Sequence, residues 1–66
     1  MSDVDALKGE IKKLSARAIT AKMNLHDLAE DLPVNWTTIP DVARAAHEAY
    51  AALESARKRL AALETA

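Results

Sequence analysis

The side chains best suited to chemistry in this chain of 66 residues are two histidines, because cysteine is absent. Glu30 follows His26 by four residues, so an imidazole and a carboxylate would share one face of a helix. Such a pair can bind a divalent transition metal, although one histidine and one carboxylate make a weak site. The simpler interpretation is a solvated histidine beside a charged face, and a site shared by two chains is the alternative. His47 is expected to be a surface residue.

Charge is segregated along the chain. Residues 8–22 carry a net charge of +4 and residues 26–48 a net charge of −4. The basic stretch could contact RNA phosphates through Lys8, Lys12, Lys13 and Arg17. No aromatic residue that could stack on bases accompanies it. A solvated face that orients an antiparallel dimer is therefore the favoured interpretation.

Neither catalysis nor export is indicated by the sequence. No nucleophile is paired with a histidine, and the single glycine cannot form a glycine-rich phosphate loop. The N-terminus lacks the basic start and apolar run of a signal peptide, and no segment reaches the length of a membrane span. We therefore expect a cytoplasmic protein that is not an enzyme.

Apolar side chains recur alternately every three and every four residues along the chain. Their spacing indicates the elements that position the residues described above. This spacing predicts two helices, each with one apolar seam suited to coiled-coil-like packing. We predict an all-α fold in which residues 1–66 form a single antiparallel two-helix hairpin. Helix 1 is expected over about 3–32, a turn over 33–38, and helix 2 over about 39–64. The seam residues are Val4, Leu7, Ile11, Leu14, Ala18, Ala21, Leu25, Leu28 and Leu32, then Ile39, Val42, Ala46, Ala49, Leu53, Ala56, Leu60 and Leu63.

The ends of the helices have predicted causes. Ser2 is expected to cap helix 1, and Pro33 to end it by disfavouring helical geometry at the preceding residue. Asn35 is expected to cap a short turn that holds Trp36, and Thr38 to cap helix 2. The Trp36 ring is expected to cover the exposed end of the core next to the turn.

A second apolar strip on helix 1 suggests self-association. The strip comprises Ala16, Ile19, Met23 and His26, and a lone hairpin would leave Ile19 and Met23 in water. A chain this short also needs a partner to bury enough apolar surface. We therefore predict a homodimer, as a rod or four-helix bundle, with Ile19 and Met23 in its interface.

The central stretch resembles a known family signature. Residues 22–33 read Lys-Met-Asn-Leu-His-Asp-Leu-Ala-Glu-Asp-Leu-Pro and are followed by Val34, Asn35 and Trp36. They resemble the Rop-like small proteins encoded in bacterial nitrogen-fixation gene clusters, some of which are described as metalloproteins. The resemblance implies a rod-like homodimer. It also implies that His26 coordinates a divalent transition metal, such as nickel, from both chains.

These observations lead to two functional hypotheses. The first is a dimeric, non-enzymatic accessory protein of nitrogen fixation that binds nickel or zinc through His26, assisted by Glu30. This protein would also bind a nitrogenase-associated partner, or bind that partner instead of the metal. The alternative is a small RNA-binding regulator that uses the basic face of helix 1. The similarity to the RNA-binding plasmid Rop protein is architectural, and architecture does not carry function.

Overall fold

Two long helices connected by a short turn form the protein. The computed structural model describes residues 2–65, with helix α1 over Asp3–Asp31, a 3-10 turn over Trp36–Thr38 and helix α2 over Ile39–Thr65. The helices pack side by side in a hairpin that measures 49 × 15 × 13 Å. The predicted all-α, two-helix fold is confirmed. Within residues 2–65, neither helix is long and apolar enough to cross a membrane.

The core of the hairpin follows the predicted seam. Within residues 2–65, five residues are buried, namely Leu7, Ala18, Ala46, Leu53 and Ala56. Every half-buried residue except Ser15 also belongs to the seam. Small side chains form the most deeply buried part of the core, near the middle of the rod, where Ala18 is 1% exposed and Ala56 is fully buried. The spacing of three and four residues is thus sufficient to place the helix–helix contact.

Helix α1 begins and ends for the predicted reasons. The Ser2 hydroxyl oxygen accepts a hydrogen bond of 3.2 Å from the backbone N–H of Asp5, which satisfies one of the free amides of the first turn. At the other end, Leu32 leaves helical geometry immediately before Pro33. The last helical residue is Asp31, one residue before the predicted end.

The turn is built by the backbone rather than by the predicted side-chain caps. Asn35 adopts the left-handed conformation with φ of 59°, and its side chain makes no capping hydrogen bond. The Thr38 hydroxyl donates to the Asn35 carbonyl oxygen at 2.7 Å instead of capping α2. Both capping predictions are wrong because the 3-10 turn runs directly into α2. The carbonyls of Asn35 and Trp36 therefore accept the N–H groups of Thr38 and Ile39.

Trp36 does not cover the end of the core. Its side chain is 62% exposed, so the sequence-based prediction for this residue is wrong. The 3-10 turn lies beyond the last seam layer, where Leu32 and Ile39 are themselves more than one third exposed. The turn end of the hairpin is consequently an apolar, solvent-facing surface.

Candidate metal site

The last two turns of α1 bring His26 and Glu30 together. The Nε2 atom of His26 lies 3.3 Å from Oε1 of Glu30, and both side chains are exposed. This proximity follows from helix geometry, because residues four apart are neighbours on one face. The structure therefore contains the pair of donors that the sequence predicted.

The electrostatic surroundings of the pair favour a cation. Asp27 and Asp31 lie in the same turns, and the last turn of α1 contains no basic residue. The unpaired carbonyl groups at the C-terminus of a helix add a partial negative charge. A positive ion at this position would offset both effects.

The separation of the two donors is compatible with binding of one ion. Ligand atoms that each lie about 2.1 Å from a metal are about 3.0–3.4 Å apart in octahedral or tetrahedral geometry. The observed 3.3 Å between the nitrogen and the oxygen falls in this range. Within residues 2–65, however, no group of three or more such donors is placed to hold a metal ion. The described part of one chain thus offers two candidate ligands, and a complete site would need others from elsewhere.

Asp27 lies beside the other ring nitrogen of His26. Its Oδ1 atom is 3.8 Å from Nδ1 of His26, which is beyond hydrogen-bond distance. A small side-chain rotation would allow Nδ1–H to donate to this carboxylate. Such a contact fixes the tautomer in which Nε2 is free to bind a metal.

His47 lies elsewhere, as predicted for a surface residue. It is exposed on α2 and lines a groove with Lys22, Leu25 and Tyr50. It takes no part in the contacts that His26 makes with Asp27 and Glu30. The two histidines therefore have separate environments.

The four basic residues of the RNA hypothesis do not form one face. Lys8, Lys12, Lys13 and Arg17 are all exposed on α1. Lys8 and Arg17 are nine residues apart, which places them half a turn from each other around the helix axis. A nucleic-acid strand in contact with one of them could not reach the other along the same surface.

Ile19 and Met23, the predicted interface residues, are both solvent-exposed in the single hairpin. Their exposed fractions are 56% and 49%. A second copy would be required to cover them. Their position in an interface stays a prediction.

One contact between the helices was not predicted from the sequence. Nη2 of Arg59 lies 3.4 Å from Oε1 of Glu10, and the pair connects α2 to α1 near the open end of the hairpin. Both side chains are about half exposed, so the pair stabilises the fold only slightly. The two residues are 49 positions apart in the sequence. Their contact could have been predicted only from the register in which the apolar seams of the two helices pack.

Comparison with known proteins places the chain in a family. The model of the Rop-like family matches residues 2–65. The chain belongs to the Rop-like family. This match confirms the family resemblance that the stretch around His26 indicated. No solved structure gives a significant match.

Two relatives of this Rop-like chain match nearly its whole length, and a third matches about three quarters of it. A UPF0437 protein of Azorhizobium caulinodans is 58% identical over 64 residues, which are 97% of this chain and 93% of the relative. The UPF0437 protein y4xE of Sinorhizobium fredii is 50% identical over 97% of this chain and 96% of its own length. A relative in Frankia alni is named for its place in the nifX-nifW intergenic region and is 47% identical over 49 residues. That match covers 74% of this chain and 60% of the relative.

Proposed function

We propose that this protein is a dimeric, non-catalytic accessory factor of nitrogen fixation that acts in the cytoplasm. In this proposal His26 and Glu30 bind a divalent transition metal such as nickel or zinc, and the dimer also contacts a nitrogenase-associated protein. The observation that carries the metal proposal is the 3.3 Å separation of the two donors at the negatively charged end of α1.

The thin core supports the dimer. Three of the five buried residues are alanines, while Ile19, Met23 and Tyr50 leave large apolar side chains in water. A chain of this size buries too little apolar surface to be more than marginally stable alone. Burial of these side chains against a second copy would supply the missing hydrophobic stabilisation.

The link to nitrogen fixation is supported by the Frankia alni relative, whose name places it in the nifX-nifW intergenic region. A small rod with two metal ligands and an exposed apolar turn has features suited to binding another protein. Water, or donors from a second protein, would complete the coordination of the ion. We therefore propose a binding function rather than a catalytic one.

Titration with nickel or zinc, followed by NMR of backbone amides, tests the metal site. We expect resonances around His26 and Glu30 to shift, and the affinity to fall at least about tenfold in both His26→Ala and Glu30→Gln. His47→Ala is the matched control and should bind like the wild type. Undiminished binding by His26→Ala would contradict the proposed site.

A further inference from the structure

Large apolar side chains are exposed together at the turn end of the hairpin. They belong to the segment 32–39 and are Leu32, Val34, Trp36 and Ile39. Their exposed fractions run from 38% for Ile39 to 62% for Trp36. The hairpin measures only 15 × 13 Å in cross-section, so these side chains lie within one small surface at its end, which we call the turn patch. Clustered apolar surface of this kind marks an interaction site, whereas scattered apolar residues do not.

Hydrogen bonds hold the backbone of the turn patch in one conformation. The N–H groups of Val34, Trp36 and Thr38 each donate to the carbonyl oxygen three residues earlier, at 2.9–3.2 Å. The Thr38 hydroxyl adds a hydrogen bond of 2.7 Å to the Asn35 carbonyl oxygen. A surface that is already ordered loses less conformational entropy on binding than a flexible loop does. Tryptophan is also among the residues that most often anchor protein interfaces, so Trp36 is well placed to act as an anchor.

Acidic residues border the turn patch. Between Lys22 and Arg44 the chain contains four carboxylates and no lysine or arginine. The four are exposed and are Asp27, Glu30, Asp31 and Asp41. Nη2 of Arg44 lies 3.6 Å from Oδ1 of Asp41 and offsets one of these charges. A complementary partner therefore carries positive charge around the apolar contact. Nucleic-acid phosphates and anionic lipid headgroups have the wrong sign.

A second copy of the chain does not match the turn patch. Although residues 8–22 are basic, the outermost charged residues at the opposite end of the rod are acidic, namely Asp3, Asp5 and Glu64. Copies stacked end to end would bring like charges together, and so would two turns in contact. A flat end of 15 × 13 Å also offers only about 200 Å², against the roughly 800 Å² that each partner contributes to a standard interface. A partner with a groove that encloses the sides of the turn would bury more.

We propose that the turn patch docks into an aliphatic groove of a different protein, and that lysine and arginine form the rim of this groove. The inference rests on the protein-binding part of the proposed function and specifies the surface and the chemistry of the partner. Val34 and Trp36 enter the groove. Asp31, the last residue of α1, and Asp41, in the first turn of α2, lie against its rim. Neither acid belongs to the proposed metal pair, so docking requires no bound ion.

A synthetic peptide of leucine and lysine, about 18 residues long and amphipathic when helical, is a suitable probe because it presents an aliphatic stripe bordered by positive charge. It would be titrated into the full chain in EDTA, with NMR of backbone amides and fluorescence of Trp36, the only tryptophan. We expect the fluorescence to shift to the blue and the amide resonances of residues 31–41 to move. The affinity should decrease as salt is added. The same peptide with glutamate in place of lysine should have no effect.

Variants at the two ends of the rod locate the contact. Trp36→Ala should lower the affinity for the lysine peptide at least about tenfold, and Asp31→Asn combined with Asp41→Asn at least about fivefold. Leu63→Ala is the matched apolar control, since Leu63 is 45% exposed at the opposite end. Asp3→Asn combined with Asp5→Asn is the matched acidic control. Both controls should bind within about twofold of the wild type.

Several results would overturn the inference. These are the absence of any response to the lysine peptide, amide shifts outside residues 31–41, equal weakening by the turn and control variants, and binding of the glutamate peptide. Vesicles of phosphatidylcholine and phosphatidylglycerol should leave the Trp36 fluorescence unchanged, and a blue shift with them would assign the turn patch to a lipid surface instead. A monomeric wild type, or a failed nickel titration, would refute the dimer or the metal site of the proposed function without affecting these results.

Discussion

At the scale of single residues, the stability of the hairpin depends on a few large side chains packed against alanines. Leu53 is only 4% exposed, and it belongs to the same seam as the buried Ala18 and Ala56. Leu53→Ala should lower the free energy of unfolding by about 2–5 kcal/mol, because the layer has no other large side chain to fill the cavity. Lys12→Ala, on the solvated side of α1, should change it by less than about 0.5 kcal/mol. Thermal melts of both variants at one protein concentration would make the comparison, and equal losses would show that the seam is wrongly placed.

The burial of single residues was predictable only where the helical repeat determines it. The three-and-four spacing correctly identified Leu7, Leu53 and Ala56 as core residues, since a helix has one face toward its neighbour. It also placed His26 beside Glu30. Trp36 was predicted wrongly because the repeat stops at the turn, and residue type alone does not fix the direction of a ring there. The Arg59–Glu10 pair was missed because long, exposed side chains choose partners only after the helices are in register.

At the scale of the helices, the residues next to a helix end explain some of the ends but not all of them. Ser2 and Pro33 acted as predicted. The Ser2 hydroxyl accepts a hydrogen bond from a free backbone N–H of the first turn, and Pro33 disfavours helical geometry at the residue before it. Thr38 did not, because a 3-10 turn supplied carbonyl partners in its place. Sequence patterns therefore predicted which helices form more reliably than how the chain connects them.

Gly9 offers a test of how much helix propensity limits α1. It lies inside the first third of the helix, and a Cβ added there would meet no atom within 4 Å. Gly9→Ala should therefore raise the free energy of unfolding by about 0.5–1 kcal/mol through reduced freedom of the unfolded chain. Lys13→Ala is the control, since lysine and alanine have similar propensities and the change should be close to zero. Chemical denaturation would measure both, and a destabilised Gly9→Ala would indicate an unrecognised contact at this position.

At the scale of the whole molecule, we propose that the hairpin is one half of a dimer. Its five buried residues are mostly small, and Leu25, Ile39 and Tyr50 are exposed. Opposite charges at the two ends of the rod favour an antiparallel arrangement of two copies. The sequence alone indicated that a partner is needed, because the chain is short and lacks cysteine. It could not identify the surface that a partner covers, since that choice depends on which side chains the packed helices leave exposed.

Sedimentation equilibrium of the metal-free wild type, from about 1 to 100 μM, measures whether the protein is a dimer. We expect a mass of twice the 7.1 kDa chain throughout the upper part of this range, with dissociation only on dilution. The dimer should form without metal, because apolar side chains rather than an ion hold it together. A mass of one chain at the highest concentration would contradict the account.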